Sequence, residues 1–227
     1  MTYDMRIGGT EQVIRNLIEG SVNTSISHYI FCIETPLGPW GKELAEKGLT
    51  IGMCHRQPGF DWRLIKHIRR FIVEHKIDVV HCHQYSPWVY GVIAATLTKA
   101  KVIFTEHGRF YPDYGTWKRK LVNPLLRACT NSVTAISAAT KQALVKYENI
   151  KTNKVAVVYN GIKPLEAQSD ATKELKKSLG LQQDTLVFGT IARFDPIKNH
   201  MMMLEAFSKV LLDSPNSVLV IVGDGEE

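Results

Sequence analysis

The sequence predicts an α/β fold, a doubly wound parallel sheet followed by the first part of a second unit of the same kind. Three observations predict it. Short runs that are apolar almost throughout alternate with longer stretches of helical periodicity, as expected of parallel strands covered on both faces by crossover helices. The alternation lapses once, around residues 160–170, where turn residues cluster. Charge changes sign at the same place: residues 1–165 hold 22 Lys and Arg against 12 Asp and Glu, a surplus of +10, and residues 166–227 hold 6 against 10, a balance of −4.

Taken in order, the first helical pattern is Gly9 to Gly20, then a strand His28 to Ile33 and a short helix Lys42 to Lys47. A strand Leu49 to Met53 leads to a helix Trp62 to His75, a strand Ile77 to His81 to a helix Trp88 to Thr98. Strands Val102 to Thr105, Val133 to Ile136 and Val155 to Tyr159 follow, with helices Thr116 to Cys129 and Ala138 to Tyr147 between them. The cluster Asn160-Gly161-Ile162-Lys163-Pro164 then breaks the pattern, so the units are placed at 1–163 and 164–227. Beyond it lie a helix Thr172 to Leu179, a strand Leu186 to Ile191, a helix His200 to Leu212 and a strand Val218 to Val222. Only a few residues precede the Gly8-Gly9 turn and the chain stops directly after a strand, so the first strand is expected to be mostly missing and the second unit incomplete, as in a fragment of a longer protein.

Composition excludes several classes. With 44% hydrophobic and 22% charged residues, 16 Gly and 9 Pro, collagen-like and disordered chains are excluded. No apolar run reaches the roughly 18 residues that span a bilayer, and the opening Met1 to Arg6 has no apolar signal core. Cys32, Cys54, Cys82 and Cys129 form no Cys-x-x-Cys pair, which reads as buried thiols in a reducing cytoplasm. The basic first unit admits nucleic acid, anionic lipid or phosphorylated small molecules as partners. Nucleic acid is disfavoured, since no helix-turn-helix, zinc finger or aromatic RNA-binding signature is present.

Gly8-Gly9-Thr10-Glu11 opens an amphipathic helix, where adjacent glycines let the backbone approach a phosphate or sugar at the positive end of the helix dipole. A tight turn requiring positive φ is the alternative. His107, in Thr105-Glu106-His107-Gly108-Arg109, follows an apolar strand and so stands where α/β sheets open onto a ligand crevice. His81 and His83 stand in the same kind of position after another strand, but Cys82 between them points away, so no metal is assigned. Arg193 and Lys198 flank a proline-bearing loop that runs from a strand end into a helix. Two such cations and a helix N-terminus suit a diphosphate.

The ordered set Gly8-Gly9-Thr10-Glu11, Thr105-Glu106-His107-Gly108, Ala135-Ile136-Ser137, Val158 to Ile162, Gly189 to His200, Leu204 to Phe207 and Leu219 to Gly225 resembles retaining glycosyltransferases of the GT-B type, Rossmann-like in both domains. More narrowly, it is similar to the bacterial group that builds capsular, exopolysaccharide and lipid-linked glycans. The resemblance implies that Gly8 and Gly9 lie beside the donor phosphates and the acceptor, that His107 is catalytic and contacts the transferred sugar, and that Arg193 and Lys198 hold the diphosphate of a UDP- or GDP-linked donor. It makes His83 and Arg109 candidates on the acceptor side and implies neither metal nor cofactor. The family's Glu-x7-Glu element has no match here, so this chain by itself is expected to be inactive.

Two rivals remain, a nucleotide-sugar epimerase of the same fold and a non-catalytic acceptor- or membrane-binding module. The helix carrying Trp62, Ile65, Ile68 and Ile72, flanked by Arg63, Lys66, His67 and Arg70, presents either a core face or a surface for anionic lipid headgroups. Trp117-Lys118-Arg119-Lys120-Leu121 is a second cluster of that kind. The expected location is therefore cytoplasmic and peripheral on the inner membrane face.

Overall fold

The computed structural model describes residues 1–108, 115–162, 164, 166 and 169–225. The chain divides into two compact units, one ending at Ile162 and the other following it.

The first unit runs α1 Gly9–Gly20, β1 Tyr29–Cys32, α2 Pro39–Glu46, β2 Thr50–Met53, α3 Trp62–Glu74, β3 Val79–His83, α4 Tyr85–Ala95, β4 Lys101–Glu106, α5 Trp117–Ala128, β5 Ser132–Ala135, α6 Ala138–Glu148 and β6 Ala156–Val157. β1 and β2 pair in parallel, and β3-β4-β5-β6 form a second parallel set. The opening residues join the two. Thr2 bridges Cys32 in parallel, Ile33 N donates to Thr2 O at 3.1 Å, and on the other side His83 N donates to Met1 O at 3.0 Å. Met1 to Tyr3 thus fill the central strand position of a sheet ordered β2-β1-(Met1 to Tyr3)-β3-β4-β5-β6. This corrects the expectation that the first strand would be mostly missing. The order reverses between the central strand and β3, the switch point at which doubly wound sheets bind ligands beyond their carboxyl ends.

The core lies on both faces of this sheet. Trp88 of α4 stacks on Phe104 of β4 with centroids 4.4 Å apart, and both are fully buried. Leu64, Ile65, Ile68 and Ile72 of α3 are buried in the same cluster, so the apolar stripe of that helix is a core face. Four of the unit's helices start for a local reason: the Asp61 side chain caps α3, Thr116 caps α5 and Ser137 caps α6, and Pro39 stands in the first turn of α2. Gly91 lets α4 approach β3, since a Cβ there would lie 2.4 Å from Cys82 Sγ.

The second unit contains α7 Ser169–Ser178, β7 Leu186–Ile191, α8 His200–Asp213 and β8 Ser217–Val222. β7 and β8 pair in parallel along their whole length, from Leu186↔Ser217 to Ile191↔Val222. Among its described residues only Thr185 and Ser217 are buried.

Candidate active site

β3 and β4 lie side by side with His83 opposite Thr105, and β3 extends further than the apolar run alone implies. His81 and His83 therefore belong to the strand and share a face, while Cys82 faces the other way, fully buried, its thiol pushed up to about 12 by that burial.

Three imidazoles gather at this edge. The rings of His81 and His83 stand 4.1 Å apart, and those of His83 and His107 5.0 Å apart. His83 Nδ1 meets His107 Nε2 at 2.7 Å. His81 Nε2 meets the Thr105 hydroxyl at 2.7 Å, Thr105 meets Thr134 at 2.7 Å, and Thr134 donates to Phe104 O. A hydroxyl has one proton to give, so the chain has a direction. Thr134 spends its proton on the carbonyl and accepts from Thr105, which accepts from His81, leaving His81 as the Nε2–H tautomer. Burial lowers all three rings, His81 and His107 to about 4 and His83 well below its ordinary value, with the Met1 ammonium and neighbouring imidazoles adding to the effect at His81 and His83. Near neutral pH the three imidazoles are uncharged and offer hydrogen-bonding groups, which suit hydroxyls more than anions. No group of three His, Cys, Asp or Glu side chains among the described residues could hold a metal ion.

His107 is the first residue past β4, and Gly108 after it turns the chain away at φ +140. Among the described residues its Nδ1 is buried without a hydrogen-bond partner. Beside His83, Gln84 sits at φ 72, ψ 168, a region almost reserved for glycine, and its Oε1 is likewise buried and without a partner among the described residues. Nothing in the sequence marks Gln84 out. The Thr105–Thr134 relay was equally hidden, because it exists only in the register that pairs those two residues.

Gly8 caps α1 with φ −166 and Gly9 opens the helix, neither with positive φ, so the tight-turn alternative does not hold. A Cβ on Gly8 would lie 2.5 Å from the Glu11 carboxylate, whereas one on Gly9 would meet nothing within 4 Å. Because the central strand and β4 are parallel to β3, the turn carrying the glycines, His83 and His107 belong to one edge of the sheet. His83, expected on the acceptor side, is only 4% exposed and spends its Nδ1 on His107. Arg109 lies outside the described residues.

In the second unit the loop from β7 to α8 carries both expected cations. Arg193 Nη2 stands 3.3 Å from Asp195 Oδ2 in a largely exposed pair, worth about 0–1 kcal/mol and easily exchanged for another anion. Asp195 also accepts from Ile197 N, shaping the turn Pro196–Lys198. Lys198 is exposed and has no partner among the described residues. Asn199, at φ 50, caps α8 by accepting from Met202 N.

Residues 7–164 match the family described as Glycosyltransferase Family 4. The chain belongs to that family. It is 31% identical over 176 residues to the UDP-Gal:alpha-D-GlcNAc-diphosphoundecaprenol alpha-1,3-galactosyltransferase of Escherichia coli, covering 73% of this chain and 45% of that protein. Over 262 residues it is 26% identical to the alpha-monoglucosyldiacylglycerol synthase of Acholeplasma laidlawii, covering 98% of this chain and 64% of the relative. The chain spans about half the length of the curated relatives it matches. Among solved structures, Anabaena HepE in complex with UDP and glucose matches with a TM-score of 0.78 at 17% identity, over 99% of this chain and 60% of that one. A glycosyltransferase from Rickettsia africae matches with a TM-score of 0.68 at 21% identity, over 88% and 52%. These likenesses give this member of family 4 the GT-B fold.

Proposed function

We propose that the whole protein transfers a sugar, with retention, from a UDP- or GDP-linked donor to a glycan or lipid-linked acceptor. The observation that carries this reading is His107. A neutral imidazole at the ligand-binding edge of a family 4 unit, with one buried nitrogen unpartnered, is built to meet a sugar hydroxyl. Arg193, Lys198 and the N-terminus of α8 would hold the diphosphate and stabilise the charge that develops on it as the sugar departs. Gly9, open where a side chain would project, leaves room for phosphate or acceptor beside the backbone. Binding of UDP and GDP, measured by calorimetry, should weaken about tenfold in each of Arg193→Ala and Lys198→Ala, as for loss of one charge-assisted contact. His107→Ala should lower kcat and leave diphosphate affinity unchanged. Unaltered affinity in both cation variants would count decisively against the assignment.

The acceptor reading extends to a membrane surface. Of the two relatives named above, one by its name acts on a diphosphoundecaprenol-linked sugar and the other makes alpha-monoglucosyldiacylglycerol. In this chain the α5 helix is partly inverted. Its inner face buries Leu126 in the core but is otherwise polar: Arg119 pairs with the fully buried Glu148 at 2.9 Å, Asn123 donates to Glu148 Oε2 at 2.6 Å and accepts from Tyr85 at 2.7 Å, and Arg119 lies over the Tyr85 ring. Its outer face is apolar, with Trp117, Leu121 and Leu125 exposed by 72%, 68% and 70%. Pro124 deprives the Lys120 carbonyl of its helical donor, and Asn149 supplies one instead at 3.2 Å. With Lys118 and Lys120 exposed beside the stripe and a surplus of +10 over residues 1–165, the chemistry that fits this face is an anionic lipid surface. Among the described residues no helix is long and apolar enough to cross a membrane.

A further inference from the structure

We infer that His83 is a positioning residue for His107, setting which of its nitrogens addresses the ligand and in which protonation state. The inference rests on the reading in which His107 meets the transferred sugar.

His83 belongs to the sheet. Its backbone is bonded to the central strand, its position is in register with Thr105, and its ring lies against His81, which is itself held by the hydroxyl relay to Phe104 O. His107 lies past the end of its strand, between Glu106 and a glycine at positive φ, so its backbone does not fix its ring. The 2.7 Å contact between His83 Nδ1 and His107 Nε2 does so instead.

Two neutral imidazoles facing each other through one nitrogen apiece hold a single proton between them. When His83 supplies it, His107 must carry its own proton on Nδ1; when His107 supplies it, Nδ1 is a lone pair. Either way Nε2 is spent, and Nδ1, buried and unpartnered, is what remains for a ligand. His107 therefore cannot choose its tautomer independently of His83, just as a metal-bound imidazole has its tautomer fixed by the group behind it.

The test begins with the unaltered protein labelled with 15N-histidine. A coupling through the hydrogen bond between His83 Nδ1 and His107 Nε2, with His107 in one neutral tautomer near neutral pH, is the result expected. Absence of that coupling in the folded protein overturns the inference without recourse to any variant. His83→Phe should then leave His107 as a mixture of tautomers. His83→Asn, which keeps a hydrogen-bonding group close to the place of Nδ1, should preserve a single state. In the whole protein, the Phe variant should lose about 10- to 100-fold in kcat, the usual cost of an outer-shell partner, with donor KM little changed and the Asn variant largely active. His107 resonances unaffected by the Phe variant, or Asn and Phe variants equally impaired, would refute a positioning role. Retained turnover in His107→Ala is a separate outcome. It removes the function assigned to His107 while leaving the His83–His107 coupling to be judged on its resonances.

Discussion

The outward face of α5 provides a prediction whose size can be worked from exposure. Burying a leucine completely is worth about 1.5–3 kcal/mol. Leu121 and Leu125 each have roughly seven-tenths of their surface still to lose, and Trp117 slightly more. A helix lying in a headgroup layer sinks only part-way, so half of that area yields about 2–3 kcal/mol for the three side chains together. The combined variant Trp117→Ser, Leu121→Ser, Leu125→Ser should therefore reduce partitioning into phosphatidylglycerol-containing vesicles by roughly 30- to 160-fold. Lys118→Gln with Lys120→Gln should cost about 1 kcal/mol per charge and remove most of the salt dependence. Co-sedimentation at two ionic strengths reads both. Trp62 is the control, exposed by 67% but on α3, whose apolar stripe is already in the core; Trp62→Ser should bind as the parent does. Since the three residues face solvent, the melting temperature should hardly move. Vesicle binding that is insensitive to salt, or equal in the parent and the triple variant, would refute the reasoning.

Three other consequences can be measured. Because burial lowers His81 and His107 to about 4, the unfolded chain takes up protons between about 6.5 and 4 that the folded chain does not. Stability should fall as pH is lowered through that window, and His107→Gln should flatten part of the slope in urea titrations. Gly9→Ala should fold at least as stably as the parent, by up to about 1 kcal/mol of helix propensity, yet turn over more slowly, because the space its Cβ enters is empty of protein; unchanged turnover would show that no ligand approaches there. Gly91→Ala should destabilise by about 1–3 kcal/mol through the clash with Cys82, and adding Cys82→Ala should restore much of the loss.

The order of elements was legible because parallel strands covered on both faces carry their own signal, an apolar run, independent of their neighbours. Termini were less so. The helix expected from Trp88 begins at Tyr85, since Gln84 turns the backbone where no propensity foretells it, and the strand expected over Val155 to Tyr159 shortens to Ala156–Val157. Residue types at the candidate site were legible, but not their partners. His107 was found by its place after a strand, whereas its bond to His83 depends on adjacent strands ending at matching heights. The polar underside of α5 was hidden for the same reason, because Arg119 and Asn123 meet Glu148 from a different helix.

At two places in the first unit the ordinary sorting of polar and apolar groups is reversed, and the reversals share a construction. At the sheet edge, imidazoles are buried where apolar side chains would cost less. On α5, tryptophan and leucine face water where lysine would cost less. In each case a hydrogen-bonded scaffold holds the arrangement, the Thr105–Thr134 relay behind one and the Arg119–Asn123–Glu148 cluster beneath the other. A loose surface would turn its apolar groups inward, and α5 cannot rotate without breaking the Arg119 and Asn123 bonds to the buried Glu148 carboxylate, a loss of several kcal/mol. The second unit breaks the same rule without such support. Ile191, Met201 and Leu212 are exposed across a strand and a helix, so apolar exposure there is general and singles out no site. Local violations held in place by buried polar bonds are where a fold gives up stability for contact with something else, and in this chain they coincide with the imidazoles proposed to meet a sugar and the helix proposed to meet lipid.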